Sequence, residues 1–168
     1  MKHLFSRKGF TLIEMLVVVA IISVLAGVVL TGVAGFQANA RDTRRIGDLK
    51  NVQNFLELYF AKCGYYPGSL LDAGGACSTT DNAVTPGSAT GWGNLAITMN
   101  RLGVSNFPKD PVTTRWYEYG VGPEHLSYVI KASLERGNKV LDDDVDDTAI
   151  YTISCADTST NFYYCIKS

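Results

Sequence analysis

Gly9-Phe10-Thr11-Leu12-Ile13-Glu14-Met15-Leu16 leads into a run of 27 residues, Phe10 to Phe36, in which Glu14 is the only charged side chain. As a helix rising 1.5 Å per residue the run would be about 40 Å long, enough for one pass through a hydrocarbon core of roughly 30 Å. A carboxylate in such a segment costs roughly 2.5–3.5 kcal/mol on insertion scales, so it calls for a function and a partner. The remainder, including Val17, Val18, Val19, Ile21, Ile22, Val24 and Leu25, is apolar on all sides and suits lipid or the centre of a helix bundle. Gly27, Gly32 and Gly35 interrupt it, either as points of bending or as surfaces for close helix approach.

Ahead of this run, Met1–Lys8 carries Lys2, Arg7 and Lys8 and no acid. The basic leader, Gly9, Phe10 and Glu14 together resemble the prepilin-type cleavage and methylation motif of type IV pilins and type II secretion pseudopilins. The resemblance implies a cut between Gly9 and Phe10, methylation of the new Phe10 amine, and a role for Glu14 in assembly. Glycine suits such a cut because it lets a protease approach the backbone closely. The resemblance also implies the partners. These are a prepilin peptidase, an inner-membrane assembly platform, an assembly ATPase, and further pilins or pseudopilins in a helical homo-oligomeric filament.

Two other readings of the same stretch stay open. Ala38-Asn39-Ala40 before Arg41 fits the small-x-small pattern of an ordinary signal-peptidase site, which would release a secreted binding domain. An uncleaved signal anchor would hold that domain at the membrane. The apolar run is longer than the usual 7–15 residues of a signal peptide, and neither alternative gives Glu14 a task.

Beyond Asn39 the pattern becomes amphipathic, with Ile46, Leu49, Val52, Leu56 and Phe60 on one stripe and Arg44, Arg45, Asp48, Lys50 and Glu57 mostly elsewhere. Gly64 and then Pro67 predict the helix end after about Lys62. Residues 64–93, which include Gly91-Trp92-Gly93, read as a surface loop, and Asn94–Leu102 as a short helix stopped by Gly103. Four strand-like runs follow: Arg115–Val121, Leu126–Glu135, Ala149–Cys155 and Asn161–Ile166. The expected fold is α+β and pilin-like, a long N-terminal helix packed against a small antiparallel sheet. Its parts are a leader (1–9), a membrane and assembly helix (10–36), an amphipathic helix (37–62), a loop region with a short helix (63–114) and a sheet region (115–168).

The four cysteines, Cys63, Cys77, Cys155 and Cys165, all lie beyond the apolar run. An even count suits a disulfide-permissive compartment, which places the C-terminal part outside the cytoplasm, and the resemblance implies an anchor in the inner membrane. Three pairings are possible. Cys63–Cys77 and Cys155–Cys165 are favoured, because each pair is close in sequence and flanks a turn-rich stretch.

Asp142, Asp144 and Asp146, at i, i+2 and i+4 in a run of five aspartates, can converge on a hard cation such as calcium if the loop curls. The resemblance to pseudopilins implies calcium in this general part of the fold, although their ligand pattern does not map cleanly onto these residues. The rival is a solvated turn whose charges keep a strand edge from pairing. No other cofactor is implied. Without the leader, 12 basic residues face 16 acidic ones, which argues against a sequence-independent nucleic-acid binder. There is no G-x-S-x-G and no phosphate loop, and His125 reads as a solvent-facing turn residue, so no enzyme is expected.

Overall fold

The computed structural model describes residues 9–68, 77 and 89–168, without the side chains of 28–32, 34, 89 and 90. The expected leader through Lys8 and most of the loop after Gly68 lie outside the described residues. Helix α1 covers Leu12–Cys63, and the chain divides into two units after Gln37.

In the first unit the described apolar side chains, among them Leu12, Ile13, Leu16, Val17, Ile21 and Leu25, are exposed. Among the described residues no helix is long and apolar enough to cross a membrane.

In the second unit the stripe of α1 is buried as its spacing requires, with Leu49, Val52, Leu56 and Tyr59 fully enclosed and Ile46 and Phe60 partly so. Gly64 ends the helix at φ +78°, a conformation that costs glycine least, and its N–H donates to the Phe60 carbonyl at 2.7 Å. Helix α2 covers Ala89–Arg101 and stops before Gly103 at φ +93°. It starts five residues earlier than the sequence suggests. Trp92 is buried there, its Nε1–H donates to the Pro108 carbonyl at 2.9 Å, and its ring meets Phe107 and Tyr117. That anchoring outweighs the helix-weakening glycines on either side.

The sheet has three antiparallel strands in the order β1-β2-β3: Glu118–Val121, Tyr128–Leu134 and Phe162–Lys167. Tyr128, Ile130, Ala132 and Leu134 belong to the core that also holds the α1 stripe, Leu95 and Met99. Val129 points the other way and packs with Ile150, Ile153, Cys155 and Cys165. Lys131 shares that outer face but is buried, its Nζ 2.8 Å from Glu118 and 4.5 Å from the centre of the Tyr163 ring.

The third expected strand, Ala149–Cys155, is not one. The chain turns back at Tyr151 and Thr152, both at positive φ, and only Ile150 and Ile153 pair. The turn lies against β1, where a Cβ on Gly120 would come within 2.9 Å of the Tyr151 carbonyl oxygen. Apolar alternation is therefore satisfied here by packing on a sheet face and not by joining the sheet.

Candidate functional site

The head of α1 is built by a capping box. Thr11 precedes the first helical residue and Glu14 stands three positions on, the spacing at which two side chains satisfy two orphan helix donors. The Thr11 N–H and Oγ1–H donate to Glu14 Oε2 at 2.7 and 2.6 Å, and the Glu14 N–H donates to Thr11 Oγ1 at 3.3 Å. The carboxylate also lies at the positive end of the helix dipole. Sequence reasoning asked for a partner to Glu14 and overlooked this local one, although T-x-x-E is a legible capping signature. Gly9 and Phe10 precede the box and are exposed.

A second cluster lies where α1 enters the second unit. Arg45 is fully buried. Its Nε and Nη2 donate to the two oxygens of Asp110 at 2.8 and 2.9 Å, and its Nη1 donates to Asp42 at 2.7 Å and Glu135 at 2.8 Å. Asp42 in turn accepts from the backbone N–H groups of Glu135 and Arg136, and Arg41 adds a two-pronged bond to Glu135. Burial works against the Arg45 charge, but its bonds to Asp110, Glu135 and Asp42 outweigh that and raise its pKa. The Arg41 bond, helped by Arg45, draws the Glu135 carboxyl down to about 2 against the opposing effect of burial. Sequence reasoning placed Arg45 on the polar face, because its partners are remote and no local pattern marks them.

The disulfides are Cys63–Cys77 and Cys155–Cys165, with Cα separations of 5.7 and 6.0 Å. The hydroxyls of Tyr59 and Tyr65 both donate to the Cys77 carbonyl, which ties that residue to the end of α1.

Asp142 and Asp146 are exposed and Asp144 is half-buried. Among the described residues no three His, Cys, Asp or Glu side chains gather as a metal-ligand group. Lys139–Asp143 forms a 3-10 turn, capped by the Asn138 side chain, that holds Asp142. Asp144 Oδ2 instead accepts the Cys165 N–H at 2.7 Å, while its Oδ1 is buried without a hydrogen-bond partner among the described residues. Burial pushes the Asp144 carboxyl up to about 6.

His125 is half-buried at φ 57° and not solvent-facing, its Nδ1 3.1 Å from the Tyr66 carbonyl. Backbone bonds from Tyr66 to His125 and from His125 to Gly122 hold it there.

Within α1 a capped apolar segment with one acid at its head thus runs on into the helix that packs on the sheet. Residues 4–30 match the family model described as the prokaryotic N-terminal methylation motif. The type II secretion system core protein G of Escherichia coli K12 is 26% identical over 140 residues, covering 83% of this chain and 89% of that protein. A fimbrial protein of Neisseria meningitidis serogroup B is 34% identical over 73 residues, 44% of this chain and 43% of that one. The type IV wide pilus major component PilA4 of Thermus thermophilus is 42% identical over 54 residues, 32% of this chain and 41% of its own. No solved structure matches the chain. The matched motif and these likenesses to type IV pilins and a type II secretion pseudopilin support a structural subunit of a pilus or pseudopilus.

Proposed function

We propose that the chain is held in the inner membrane by its apolar helix, cut between Gly9 and Phe10, and polymerised through that helix with its second unit outside the cytoplasm. The observation that carries this is Glu14, the one carboxylate in the apolar run Phe10–Phe36, whose described apolar side chains are exposed. Before cleavage its bonds go to its own Thr11. Cleavage creates an ammonium at Phe10, and in a low-dielectric surrounding a carboxylate and an ammonium each lower the penalty of the other. Glu14 of an incoming subunit then docks on the amine of its neighbour, so that proteolysis acts as the assembly switch.

The partners on this reading are a prepilin peptidase, an inner-membrane platform, an assembly ATPase and other pilins or pseudopilins. The role is structural and not enzymatic. Against release by an ordinary signal peptidase stands the backbone at Ala38-Asn39-Ala40, which is helical within α1, whereas a protease takes an extended chain. A chain beginning at Arg41 would also place its new terminus at the Arg41–Glu135 ion pair.

Mass spectrometry of the mature amino terminus tests the reading. An N-methylated Phe10 supports it. A chain starting at Arg41, or an intact Met1 in assembled material, overturns it.

A further inference from the structure

The sheet has two outer strands, and they are finished differently. β1 packs beside α2. Among the described residues β3 has no strand beyond it, and its register with β2 fixes which of its backbone groups face outward. Ser168 donates to the Tyr128 carbonyl, so the even positions of β3 (Phe162, Tyr164 and Ile166) share the phase that bonds to β2. The odd positions, Tyr163, Cys165 and Lys167, direct their N–H groups away from the sheet.

Two of these outward donors are taken by side chains. The Tyr163 N–H donates to Asp157 Oδ1 at 2.6 Å, and the Cys165 N–H donates to Asp144 Oδ2 at 2.7 Å. Successive outward donors on a strand are about 7 Å apart, the spacing at which a neighbouring strand would present its carbonyls. The two carboxylates thus stand where two rungs of a missing fourth strand would be.

The segment that carries them is strapped down. Cys155 is bonded covalently to Cys165, and Val145, Ile150, Tyr151 and Ile153 pack with Val129 on the outer sheet face. The Cys155 N–H also donates to the Asp147 carbonyl at 3.0 Å.

We propose that residues Asp144–Asp157 form an edge guard that denies β3 to a second copy of this chain, whose own β3 would otherwise add to it as an antiparallel strand. The occupant follows from the strand itself. Phe162-Tyr163-Tyr164-Cys165-Ile166 is rich in aromatic and β-forming residues, lacks Gly and Pro, and carries no charge before Lys167. An identical strand matches it in length and polarity, and a two-fold antiparallel pairing needs no other partner. Free edges of this kind are template sites unless covered or charged, and here the cover carries negative charge. This goes beyond the assembly reading and does not depend on processing at Gly9, because every contact lies within the second unit.

The test uses the full chain in detergent micelles, read by amide hydrogen exchange over residues 158–168 and by light scattering. Asp144→Ala with Asp157→Ala should speed exchange at Tyr163 and Cys165 at least tenfold and give a concentration-dependent dimer or larger species. Asp142→Ala with Asp143→Ala removes the same charge from exposed positions and should leave both readouts at the wild-type level. Wild-type exchange and mass in the first pair, or an equal change in the control pair, would overturn the proposal. So would faster exchange without self-association. If the first pair fails to fold, Asp157→Ala alone decides: the Tyr163 amide should speed up while Cys165 stays slow, and no change at Tyr163 overturns the guard.

Discussion

Arg45 and Asp110, 65 positions apart in sequence, meet in a two-pronged ion pair whose side chains are both almost completely out of solvent. The pair joins α1 to the loop before β1 and, through Asp42 and Glu135, to the end of β2. A buried pair of this kind gives little net stability over an apolar replacement, but breaking it leaves a charge without its mate. Arg45→Ala strands Asp110 and Asp42 together and is expected to cost about 3–5 kcal/mol in urea unfolding. The neighbouring Arg44, largely exposed and 3.7 Å from Asp48, should lose no more than about 0.5 kcal/mol on the same change. Equal losses for the two would show that the network carries no special weight.

The same cluster sets an acid limit on stability. Glu135 has its folded pKa lowered to about 2, chiefly by the Arg41 bond. A depressed carboxylate stabilises the fold above its unfolded pKa and loses that contribution as pH falls toward the folded value. Between about pH 4.5 and 2 the loss should be on the order of 2 kcal/mol. Asp144 has the opposite sign. Burial raises its pKa to about 6, so the folded chain takes up a proton before the unfolded one and gains stability as pH falls from 7 toward 4. Urea midpoints at pH 7, 5 and 3 should therefore peak near the middle value. Asp144→Asn should flatten the limb between pH 7 and 5 and leave the acid limb unchanged.

At the head of α1, Thr11→Ala removes the hydroxyl that both caps the helix and holds Glu14. Losing an N-cap side chain costs about 1 kcal/mol. Exchange of the Leu12–Met15 amides in lipid bicelles should accelerate roughly fivefold, which is that energy expressed as a local opening equilibrium. Thr11→Ser retains the oxygen and should exchange like the wild type. If Thr11→Ala exchanged no faster, the capping box would have no part in ordering the helix head.

How far the sequence foretold this architecture depended on the reach of each interaction. Leu49, Val52 and Leu56 were legible because a helix repeats its inward face every three or four residues, and all three are buried. Gly64 and Gly103 were legible as stops because a positive φ is a local demand on one residue. Arg45 was not, since its partners Asp110 and Glu135 come from distant parts of the chain. The Ile150–Cys155 stretch has the alternation of a strand, yet its apolar side chains cover Val129 on the sheet face. Trp92 was hidden by its two glycines, which argued for a loop until the tertiary packing of its ring is taken into account. The edge-guarding role named for the acidic run as a solvated turn lies with Asp144 and Asp157, and the second of these stands outside that run.

The two disulfides should differ in their effect on stability, in the reverse of the order that loop length suggests. Cys63–Cys77 spans 14 positions and Cys155–Cys165 spans 10. Chain entropy separates loops of these sizes by only about 0.3 kcal/mol, in favour of the longer one. Packing separates them further. Cys155 and Cys165 are both buried with Val129, Ile150 and Ile153, whereas Cys63 and Cys77 are each only half-buried. Replacing the buried pair by serine removes the crosslink and also sets two hydroxyls in an apolar cluster, at about 1–3 kcal/mol for each one left without a partner. The Cys155→Ser/Cys165→Ser chain is therefore expected to unfold at lower urea than the Cys63→Ser/Cys77→Ser chain. Alanine in place of serine should narrow the gap, because the hydroxyl contribution disappears while the lost crosslink is the same. A Cys63–Cys77 variant that proved the less stable of the two would mean that loop closure, and not the packing under the β3 edge, sets the strength of these bonds.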